Sequence, residues 1–561
     1  MGLRHAPALT VALMLGPVLA GLLGTLAPAF GYFPALGRSG FSLDPFRQLA
    51  DWPGLGAAMR LSVTTGLAAT ALSLGLTALI LAAWHGTRGF RWMERALSPL
   101  LSVPHAAAAF GIAFLIAPSG WIARALSPWA TGWNTPPDLL ILQDPWGIAM
   151  TLGLVVKELP FLLLMSLAAL PQLRPQDSLR VAQSLDYGRV RGWMLTVFPR
   201  LYGLIRLPVY AVLAYSMTVV DVAIILGPNT PPPLSVQIVR WMNDPDLQLR
   251  LPAAAAALVQ LGLVAAALLL WRGAEAAIAR AGQRLAGLGA RGTGDRPWQL
   301  AALGAAGLSV LLVLLGLAGL GLWSVAGFWR FPDALPDAIT LNTWMRHGGG
   351  ALPVLATTLL VALWATAIAL ILTLACLEAE RRLGLRMGRL GSLMLYLPLL
   401  VPQIAFLPGL QTLALITGAD LSLTSVVLAH TVFVIPYVFL SLGDPYRRMD
   451  PRFDRVAAAL GATDRRSFWH LRLPLMLGPV LTAAAIGIAV SVGQYLPTLL
   501  IGAGRIQTLT TEAVALAAGG NRRIIGIYAL LQTGTVIAGF ALALILPRLI
   551  WARRRDMRGA V

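Results

Sequence analysis

The sequence has few of the residues from which enzyme active sites and metal centres are usually built. Lys157 is the only lysine, and it stands between Val156 and Glu158. A phosphate-binding loop of the Walker type needs Gly-Lys followed by Ser or Thr, so the chain has no such loop. Cys376 is the only cysteine, which excludes an intramolecular disulfide. Because the six histidines show no metal-ligand spacing, we predict neither catalytic residues nor a metal site.

Charge of either sign is also scarce. Only 12% of the residues are charged and 57% are hydrophobic, with a mean hydropathy of +0.74. A soluble domain carries about 25% charged residues, so this composition predicts a membrane protein. The net charge of +19 would suggest nucleic acid as the partner of a soluble protein. Here basic residues at the ends of membrane spans account for it, and we predict no nucleic-acid partner.

Long apolar runs divide the chain into about twelve predicted transmembrane helices, six in each half. The first run follows Arg4 and could be read as a cleaved signal peptide, but its removal would leave unequal halves, so we predict a retained span. The predicted spans cover residues 8–29, 61–84, 98–117, 147–169, 204–226, 253–271, 298–323, 353–376, 391–414, 423–443, 477–500 and 524–547.

The positions of the arginines predict the orientation in the bilayer. With the N-terminus inside, the inner segments contain 30 of the 43 basic residues and the outer loops contain 10. Basic residues accumulate on the cytoplasmic side of a membrane, so we place both termini in the cytoplasm. The outer loops are too short for an independent domain, so any domain that captures solute must belong to another chain.

One stretch of the sequence occurs twice, without a gap, at an offset of 275 residues. The copies start at Leu179 and Asp454 and end at Pro199 and Pro474. Self-similarity at half the chain length indicates one duplicated unit rather than a solenoid. The aligned pairs include Arg180 with Arg455, Val181 with Val456, Ala182 with Ala457, Leu185 with Leu460, Trp193 with Phe468, Ser216 with Ser491, Gly227 with Gly502, and Leu234 with Leu509.

The local sequence of the second copy predicts a helix-turn-helix elbow. Helix formers precede Gly461, which can take the left-handed conformation that ends a helix, and Thr463 can cap a second helix. The first copy has Asp186 where the second has Gly461. Asp tolerates the left-handed region less well than Gly, and Gly188 two residues later could supply the turn instead.

These loops resemble the cytoplasmic EAA loop of binding-protein-dependent ABC importer permeases. Its pattern is Glu-Ala-Ala, three residues, Gly, an aromatic residue seven positions after the Gly, and a Pro thirteen positions after it. Both copies have Arg at the Glu position, and the first has Asp186 at the Gly position. The matching residues are Ala457, Gly461, Phe468 and Pro474 in loop 450–475 and Ala182, Trp193 and Pro199 in loop 175–200.

The resemblance covers essentially the whole chain, and having both halves on one polypeptide resembles the fused permeases of thiamine, ferric-iron and Ynj-type systems. It implies an all-α polytopic membrane protein of the type I ABC importer (MetI-like) fold. The first half would span residues 1–275, a cytoplasmic linker 276–297, and the second half 298–561. The linker is predicted to be a solvated basic connector, with a regulatory helix as the alternative.

The resemblance also implies how the protein works. The two loops would couple to two copies of an ATPase subunit that binds ATP and Mg²⁺, and a periplasmic binding protein would deliver a small solute. The chain itself would need no cofactor and would lie in the lipid bilayer of the bacterial inner membrane. The sequence does not identify the solute.

Ionisable and polar residues inside predicted spans are candidates for the translocation path, because they are costly to place in a bilayer. Lys157 and Glu158 fall in the fourth span, where a structural ion pair between them is the alternative. Asp221, Gln494 and Tyr495 fall in or beside the fifth and eleventh spans, which in the family line the path. His105 and His430, near span ends, are predicted to be packing or interface residues.

Two other functions are compatible with parts of this pattern. Twelve spans in two parallel repeats is also the plan of the major facilitator superfamily of secondary transporters. The basic loop after the eighth span superficially resembles a loop of that family, but the Asp-Arg core of its motif is missing. A membrane enzyme would need a catalytic constellation, and the sequence provides none.

Overall fold

The computed structural model describes residues 2–289, 291–292, 294–385, 387–418 and 421–551. Within these residues the chain is helical and contains no β-strands, apart from isolated bridges between Phe33 and Arg38 and between Ala326 and Ile339. The predicted all-α class is confirmed. The predicted cytoplasmic tail after residue 551 lies outside the described residues.

Thirteen α-helices form the first half and its continuation toward the linker. They are α1 (Ala6–Ala29), α2 (Asp44–Ala50), α3 (Leu55–Trp84), α4 (Arg88–Leu97), α5 (His105–Ile116), α6 (Trp121–Leu126), α7 (Ile148–Ala169), α8 (Pro175–Ser184), α9 (Arg189–Thr196), α10 (Phe198–Thr218), α11 (Asp221–Leu226), α12 (Leu234–Met242) and α13 (Arg250–Gly287). Short 3₁₀ turns lie at Leu3–His5, Pro34–Leu36, Ser98–Ser102, Leu170–Gln172 and Leu247–Leu249.

Twelve α-helices form the second half. They are α14 (Arg296–Val325), α15 (Asn342–Leu383), α16 (Arg389–Leu400), α17 (Gln403–Thr417), α18 (Leu423–Arg447), α19 (Arg452–Ala459), α20 (Asp464–Ser467), α21 (Leu473–Leu475), α22 (Leu477–Gly493), α23 (Leu496–Gly502), α24 (Leu509–Ala517) and α25 (Arg522–Ile550). A π-helical turn, Phe468–Arg472, joins α20 to α21.

Ten helical segments among the described residues are long and apolar enough to cross a membrane, and two bent pairs raise the number to twelve. This agrees with the predicted number of spans. The predicted continuous spans 98–117 and 391–414 are wrong in shape, because the chain bends before Pro104 and before Pro402. At the second site α16 and α17 meet at 79°. Proline lacks the N–H of a helix interior and disfavours helical conformation in the preceding residue, which ends the helix there.

The predicted spans 204–226 and 477–500 are also interrupted. Val219 and Gln494 have extended backbones, so each span ends and a short second helix begins, α11 in the first half and α23 in the second. Two adjacent β-branched valines disfavour helix at the first break, and Pro497 lies in the first turn of α23 at the second. Hydropathy alone does not reveal such interruptions.

The first helix of each half packs against the other half. Helix α1 packs along α17, and α14 packs along α5. A Cβ atom built on Gly409 would lie 1.8 Å from the carbonyl oxygen of Gly21, and one built on Gly111 would lie 2.9 Å from the backbone of Gly316. Gly111 and Gly409 are equivalent at an offset of 298 residues, which also aligns Pro104 with Pro402. Glycine therefore allows close helix approach at both crossings.

The connection between the halves is helical over much of its length, and its side chains are largely exposed. Helix α13 continues from the last span of the first half as far as Gly287, well beyond residue 275. The described residues after it, Arg291, Gly292 and Asp295, pack on the first of the two repeated loops. Helix α13 takes up more than half of the predicted linker 276–297, so only a short segment remains before α14.

Candidate functional site

The two repeated loops, named here elbow 1 (residues 175–200) and elbow 2 (residues 450–475), have the predicted helix-turn-helix form. In elbow 1 the helices α8 and α9 meet at Asp186, which has a left-handed backbone with φ 64°. In elbow 2 the helices α19 and α20 meet at Gly461, with φ 77°. Gly188 has φ −56° and ψ 155°, so the prediction that it could supply the turn is wrong. Asp186 takes the left-handed conformation itself, which Asp and Asn do more readily than other non-glycine residues.

The outward surface of each elbow carries three large apolar side chains at aligned positions. Leu460 is 82% exposed and Leu185 is 55% exposed. Apolar side chains this exposed, at matching places in both repeats, are typical of a surface that contacts another protein. The three aligned pairs are Val181 with Val456, Leu185 with Leu460, and Met194 with Trp469.

Most of the family-motif residues lie behind this surface rather than on it. Ala182 and Trp193 are buried within elbow 1, and Ala182 lies where it limits the space at Gly192 of α9. Phe468 in elbow 2 is half-buried. The alignment of the two copies shows the apolar pairs at 181 and 185, four residues apart on one face of a short helix, and that spacing could have identified the exposed residues.

The remaining predicted elbow residues have clear local roles. Pro199 lies in the first turn of α10 and is exposed, and Pro474 lies in the first turn of α21 and is half-buried. Proline suits a first helical turn because its missing N–H would have no intrahelical partner there. Ala457 is half-buried in α19, a helix in which no residue is fully buried.

Elbow 2 is held to the end of α15 by a network of charged side chains. Arg472 is 1% exposed, donates hydrogen bonds to Glu378, and contacts Asp454 through Nε at 2.9 Å. Arg381 lies 2.6 Å from the other oxygen of Asp454, and the hydroxyl of Tyr446 donates to Glu378. Each buried charge therefore has an opposite charge and additional hydrogen bonds, which burial of charge requires.

Elbow 1 is held at the corresponding junction by apolar packing. At the offset of 298 residues Ile80 replaces Glu378, and at the offset of 275 residues Leu179 and Val197 replace Asp454 and Arg472. All three apolar residues belong to the buried core. Helix α8 accordingly buries one face, whereas α19 does not. The two elbows thus share a shape but differ in the physical basis of their attachment.

Arg189 supplies a polar contact to elbow 1. Its Nε donates to the carbonyl of Ala83 at 2.8 Å, and its Nη2 donates to the carbonyl of His85. Burial, and next the positive charge of Arg189, lower the pKa of His85 below its usual value. A neutral His85 avoids placing a second cation beside the guanidinium.

Lys157 and Glu158 are neighbours in α7 but make different contacts. The ammonium of Lys157 donates to the carbonyls of Leu100 at 2.7 Å and Val103 at 2.5 Å, at the end of the 3₁₀ turn before α5. No salt bridge joins Lys157 to Glu158 among the described residues, so the predicted ion pair is wrong. Lys157 therefore ties α7 to the backbone at the end of this turn, where the carbonyl of Leu100 also accepts from the amide of Val103.

Glu158 takes part in a polar cluster located between the two halves. Its carboxylate lies 3.4 Å from Nε2 of His105, whose ring lies 5.1 Å from that of Tyr215. Asp221 is almost fully buried at the break after α10 and lies within electrostatic range of His105 and Tyr215. Glu158 and Asp221, both predicted as candidates for the path, therefore lie near the same histidine, His105.

The second half contributes tyrosines to this cluster. Tyr495, at the break before α23, lies within electrostatic range of Asp221, and Tyr437 of α18 lies within electrostatic range of Glu158. Gln494 instead donates to the backbone carbonyl of His430 at 3.2 Å. The buried imidazole of His430 hydrogen-bonds to two hydroxyls, those of Ser491 and Thr498, so its polar groups are satisfied locally.

No group of three His, Cys, Asp or Glu side chains suited to a metal ion occurs within the described residues. The polar cluster offers two carboxylates, an imidazole and phenol rings from both halves. Asp221 and Tyr495 lie at interruptions of the membrane helices, whereas Glu158 and Tyr437 lie within α7 and α18. Irregular backbone at membrane depth is tolerated where it is covered by protein or lines a cavity. This arrangement can contact a polar solute between the two halves.

Comparisons with known proteins indicate the same family as the sequence motif of the two elbows. Residues 367–554 match the family described as "Binding-protein-dependent transport system inner membrane component". The chain is 33% identical over 542 residues to the inner membrane ABC transporter permease protein YnjC of Escherichia coli strain K12, covering 94% of this chain and 96% of YnjC.

Two shorter relatives match part of the chain. The putative 2-aminoethylphosphonate transport system permease protein PhnV of Salmonella typhimurium is 26% identical over 219 residues, 38% of this chain and 81% of PhnV. The molybdenum transport system permease protein ModB of Mycobacterium tuberculosis is 32% identical over 158 residues, 27% of this chain and 58% of ModB. With two six-span halves, two elbows in register and a full-length relative of this class, the chain belongs to the binding-protein-dependent ABC transporter permeases.

Proposed function

We propose that each elbow docks on one copy of a separate ATP-hydrolysing subunit, so that two copies bind to one chain. The observation that carries this is the set of three exposed apolar side chains repeated at aligned positions of both elbows. Burying a Leu or Trp side chain contributes about 1.5–3 kcal/mol, so three such residues per elbow form an adequate anchor for docking. Membership of the ABC permease family supports an ATPase as the partner.

The charge of the elbows indicates what the ATPase surface should look like. Arg452 and Arg455 border an open groove on elbow 2 that Val456 and Ala459 complete. Elbow 1 exposes Arg180 at the position aligned with Arg455. We expect the docking surface on the ATPase to combine an apolar pocket with acidic residues, because opposite charges across an interface speed and orient association.

Energy then reaches the membrane through the elbows. ATP binding draws the two ATPase copies together, the elbows follow them, and the halves rock about the path between them. Each elbow leads directly into a span, α10 or α22, that ends beside the polar cluster. The ATP and Mg²⁺ belong to the partner, both termini of this chain lie in the cytoplasm, and a periplasmic binding protein delivers the solute to the opposite side of the inner membrane.

The solute passes the polar cluster that contains Glu158, Asp221 and Tyr495, beside Gln494. Two carboxylates at this level, with tyrosine faces beside them, favour a small solute that carries positive charge. The printed names of PhnV and ModB refer to 2-aminoethylphosphonate and molybdenum, so permeases of this family serve chemically different solutes. The preference for positive charge therefore rests on the cluster of this chain and not on its relatives.

Docking is tested by replacing Leu185 and Leu460 with Asp, singly and together, and purifying each variant from its native membrane with its ATPase subunit. We expect two ATPase copies per wild-type chain, about one in each single variant and none in the double variant. Leu288→Asp, which changes an equally exposed leucine outside both elbows, should retain both copies. Retention of two copies by the double variant would refute the proposal.

A further inference from the structure

The segment that joins the two halves makes backbone contacts with elbow 1. The amide of Gly188 donates to the carbonyl oxygens of Arg291 and Gly292, at 3.3 and 3.2 Å. Gly188 is buried, and a Cβ atom built on it would lie 2.4 Å from the carbonyl oxygen of Gly292. The guanidinium of Arg291 lies 3.7 Å from the carboxylate of Asp186 at the turn of the elbow.

Asp295 completes this contact at the start of α9. One carboxylate oxygen accepts from the amide of Arg189 at 2.6 Å, and the other accepts from the amide of Val190 at 3.1 Å. These are amides of the first helical turn, which have no partner within the helix. Asp295 therefore acts as the N-terminal cap of α9, although it lies about a hundred positions away in the sequence.

The same carboxylate leaves its own helix without a cap. Asp295 is the residue immediately before α14, where an aspartate would ordinarily accept from amides of that helix, but its side chain makes no such bond. The carboxylate is instead directed across to elbow 1. Its negative charge at the N-terminus of α9 is also favourable to the helix dipole.

Elbow 2 shows why elbow 1 needs this contribution. There the helix α20 is capped by its own Thr463, whose hydroxyl oxygen accepts from the amide of Arg466 at 3.3 Å. The position aligned with Thr463 is Gly188, which has no side chain to serve as a cap. The two residues have nearly the same backbone, φ −69° and ψ 157° for Thr463 and φ −56° and ψ 155° for Gly188.

We propose that Asp295 is a positioning residue for energy coupling: the segment between the halves supplies the cap that orders elbow 1, and elbow 1 engages its ATPase only while that segment is docked. The inference rests on the proposed docking of elbow 1. It gives the fused chain a property that elbow 2 lacks, because the order of elbow 1 depends on the start of the second half.

Two further contacts make this junction a link between the halves. Nε1 of Trp84, at the end of α3, donates to the carbonyl of Gln299 in the first turn of α14 at 3.1 Å. Arg189 binds the backbone at the end of α3, as described above. The start of α9, the end of α3 and the start of α14 therefore meet at one place. A displacement of α14 relative to the first half reaches elbow 1 directly through Asp295.

The cap is tested by hydrogen exchange on the purified full chain in lipid nanodiscs. Asp295→Ala should speed exchange of the Arg189 and Val190 amides by about five- to ten-fold, as expected for loss of an N-cap, and leave the amides of α20 unchanged. Asp295→Asn, which retains one accepting oxygen, should give a smaller increase. The matched control Thr463→Ala should show the reverse, with faster exchange at Arg466 only.

A rescue separates the cap from other effects of the substitution. In the Asp295→Ala chain, Gly188→Thr places a cap like Thr463 on the same backbone conformation. A Cβ atom at position 188 would lie 2.4 Å from the carbonyl oxygen of Gly292, so this substitution also displaces the segment from elbow 1. We expect slow exchange at α9 to return, because the threonine hydroxyl caps the helix without the segment. Fast exchange that persists in the rescued chain, or slow exchange in Asp295→Ala itself, would overturn the capping role.

Coupling is measured in the complex with the ATPase subunit by a photo-crosslinking amino acid placed at Val181 in elbow 1 or at Val456 in elbow 2. We expect Asp295→Ala to reduce the yield at position 181 about five-fold and to leave that at position 456 unchanged. No cross-link from either position in the wild-type chain would refute docking itself. Wild-type cross-links with equal yields at position 181 in both chains would refute only the role of Asp295.

Discussion

Arg472 of elbow 2 donates hydrogen bonds to Glu378 of α15, and the two side chains are 1% and 4% exposed. The aligned residues of the first half are Val197 and Ile80, which are equally buried. One junction between an elbow and the end of a span is therefore charged, and its repeat is apolar. Duplicated halves can thus keep a common backbone while the chemistry that holds it diverges.

Removing one charge from this pair should destabilise elbow 2. Arg472→Met removes the most buried partner of Glu378 and leaves Arg382 beside it, so the cost is at most about 3–5 kcal/mol. We expect a lower unfolding temperature of the purified chain and faster proteolysis within residues 450–475. Arg448→Met is the matched control, because the pair of Arg448 with Asp444 is more than half exposed and contributes about 0–1 kcal/mol. Equal effects of the two substitutions would contradict the prediction.

Replacing the charged residues together should be milder than removing one. Glu378→Ile, Asp454→Leu and Arg472→Val install in elbow 2 the residues of the first half. A buried ion pair can be exchanged for apolar residues of similar packing at little cost, so we expect the triple variant to regain most of the unfolding temperature lost by Arg472→Met. Arg381 keeps Asp464 at 3.8 Å as a partner, and Arg382, which loses Glu378, keeps the carbonyl oxygen of Asp464 at 3.1 Å. A triple variant less stable than the single one would show that the charges are essential to this half.

The turns of the two elbows should respond unequally to exchange of their residues. Asp186 and Gly461 share a left-handed backbone, at φ 64° and 77°. Asp186→Gly removes a strained side chain, whereas Gly461→Asp introduces one at a cost of about 1 kcal/mol. We expect Gly461→Asp to reduce stimulation of the ATPase by the permease, and Asp186→Gly to change it less. Equal loss of stimulation in both variants would contradict this expectation.

The elbows could be predicted from the sequence because their signals are local. Gly461, Thr463 and Pro474 each favour one backbone conformation at one position, and the repeat at 275 residues placed the same shape on the first copy. The role of Asp186 was less predictable, because the residue type permits the left-handed conformation without requiring it. Contacts between distant residues, such as that of Asp295 with α9, leave no local signal.

The sequence identifies the polar residues of the spans, but it does not show which way their side chains point. Lys157 and Glu158 are adjacent, and on a helix adjacent residues point about 100° apart, so one reaches backbone carbonyls and the other faces His105. The breaks at Val219 and Gln494 were missed because hydropathy averages over them. The packing of α1 and α14, each against the opposite half, depends on the shapes of the helix surfaces, and hydropathy carries no information about these.

The glycine crossing between α1 and α17 should tolerate no side chain. A Cβ atom at Gly409 would overlap the backbone of Gly21, at 1.8 Å from its carbonyl oxygen. Gly409→Ala should therefore separate the two helices and lower the unfolding temperature, with a cost of about 1–3 kcal/mol or more for overpacking. Gly304→Ala in α14, where the Cβ atom meets no neighbour, is the control and should be neutral or slightly stabilising. A neutral Gly409→Ala would contradict the close crossing.

The path residues should separate into those that carry the solute and those that hold the scaffold. Asp221→Asn keeps the shape of the side chain but removes a negative charge from the cluster. We therefore expect the uptake rate of a positively charged solute to fall at least ten-fold, with little change in unfolding temperature. A ten-fold fall corresponds to loss of about 1.4 kcal/mol of interaction with the charge.

Lys157→Met should have the opposite effect, lowering the unfolding temperature and leaving transport by the folded molecules intact. It removes the Lys157 donor from the carbonyl of Val103 and one of two donors from that of Leu100, at about 1–3 kcal/mol in total, so the unfolding temperature should drop while the folded fraction still transports. Both quantities are measured on the same reconstituted complexes, with uptake normalised to folded permease. Loss of transport per folded molecule in Lys157→Met, or unchanged transport in Asp221→Asn, would reverse the assignment of these two residues.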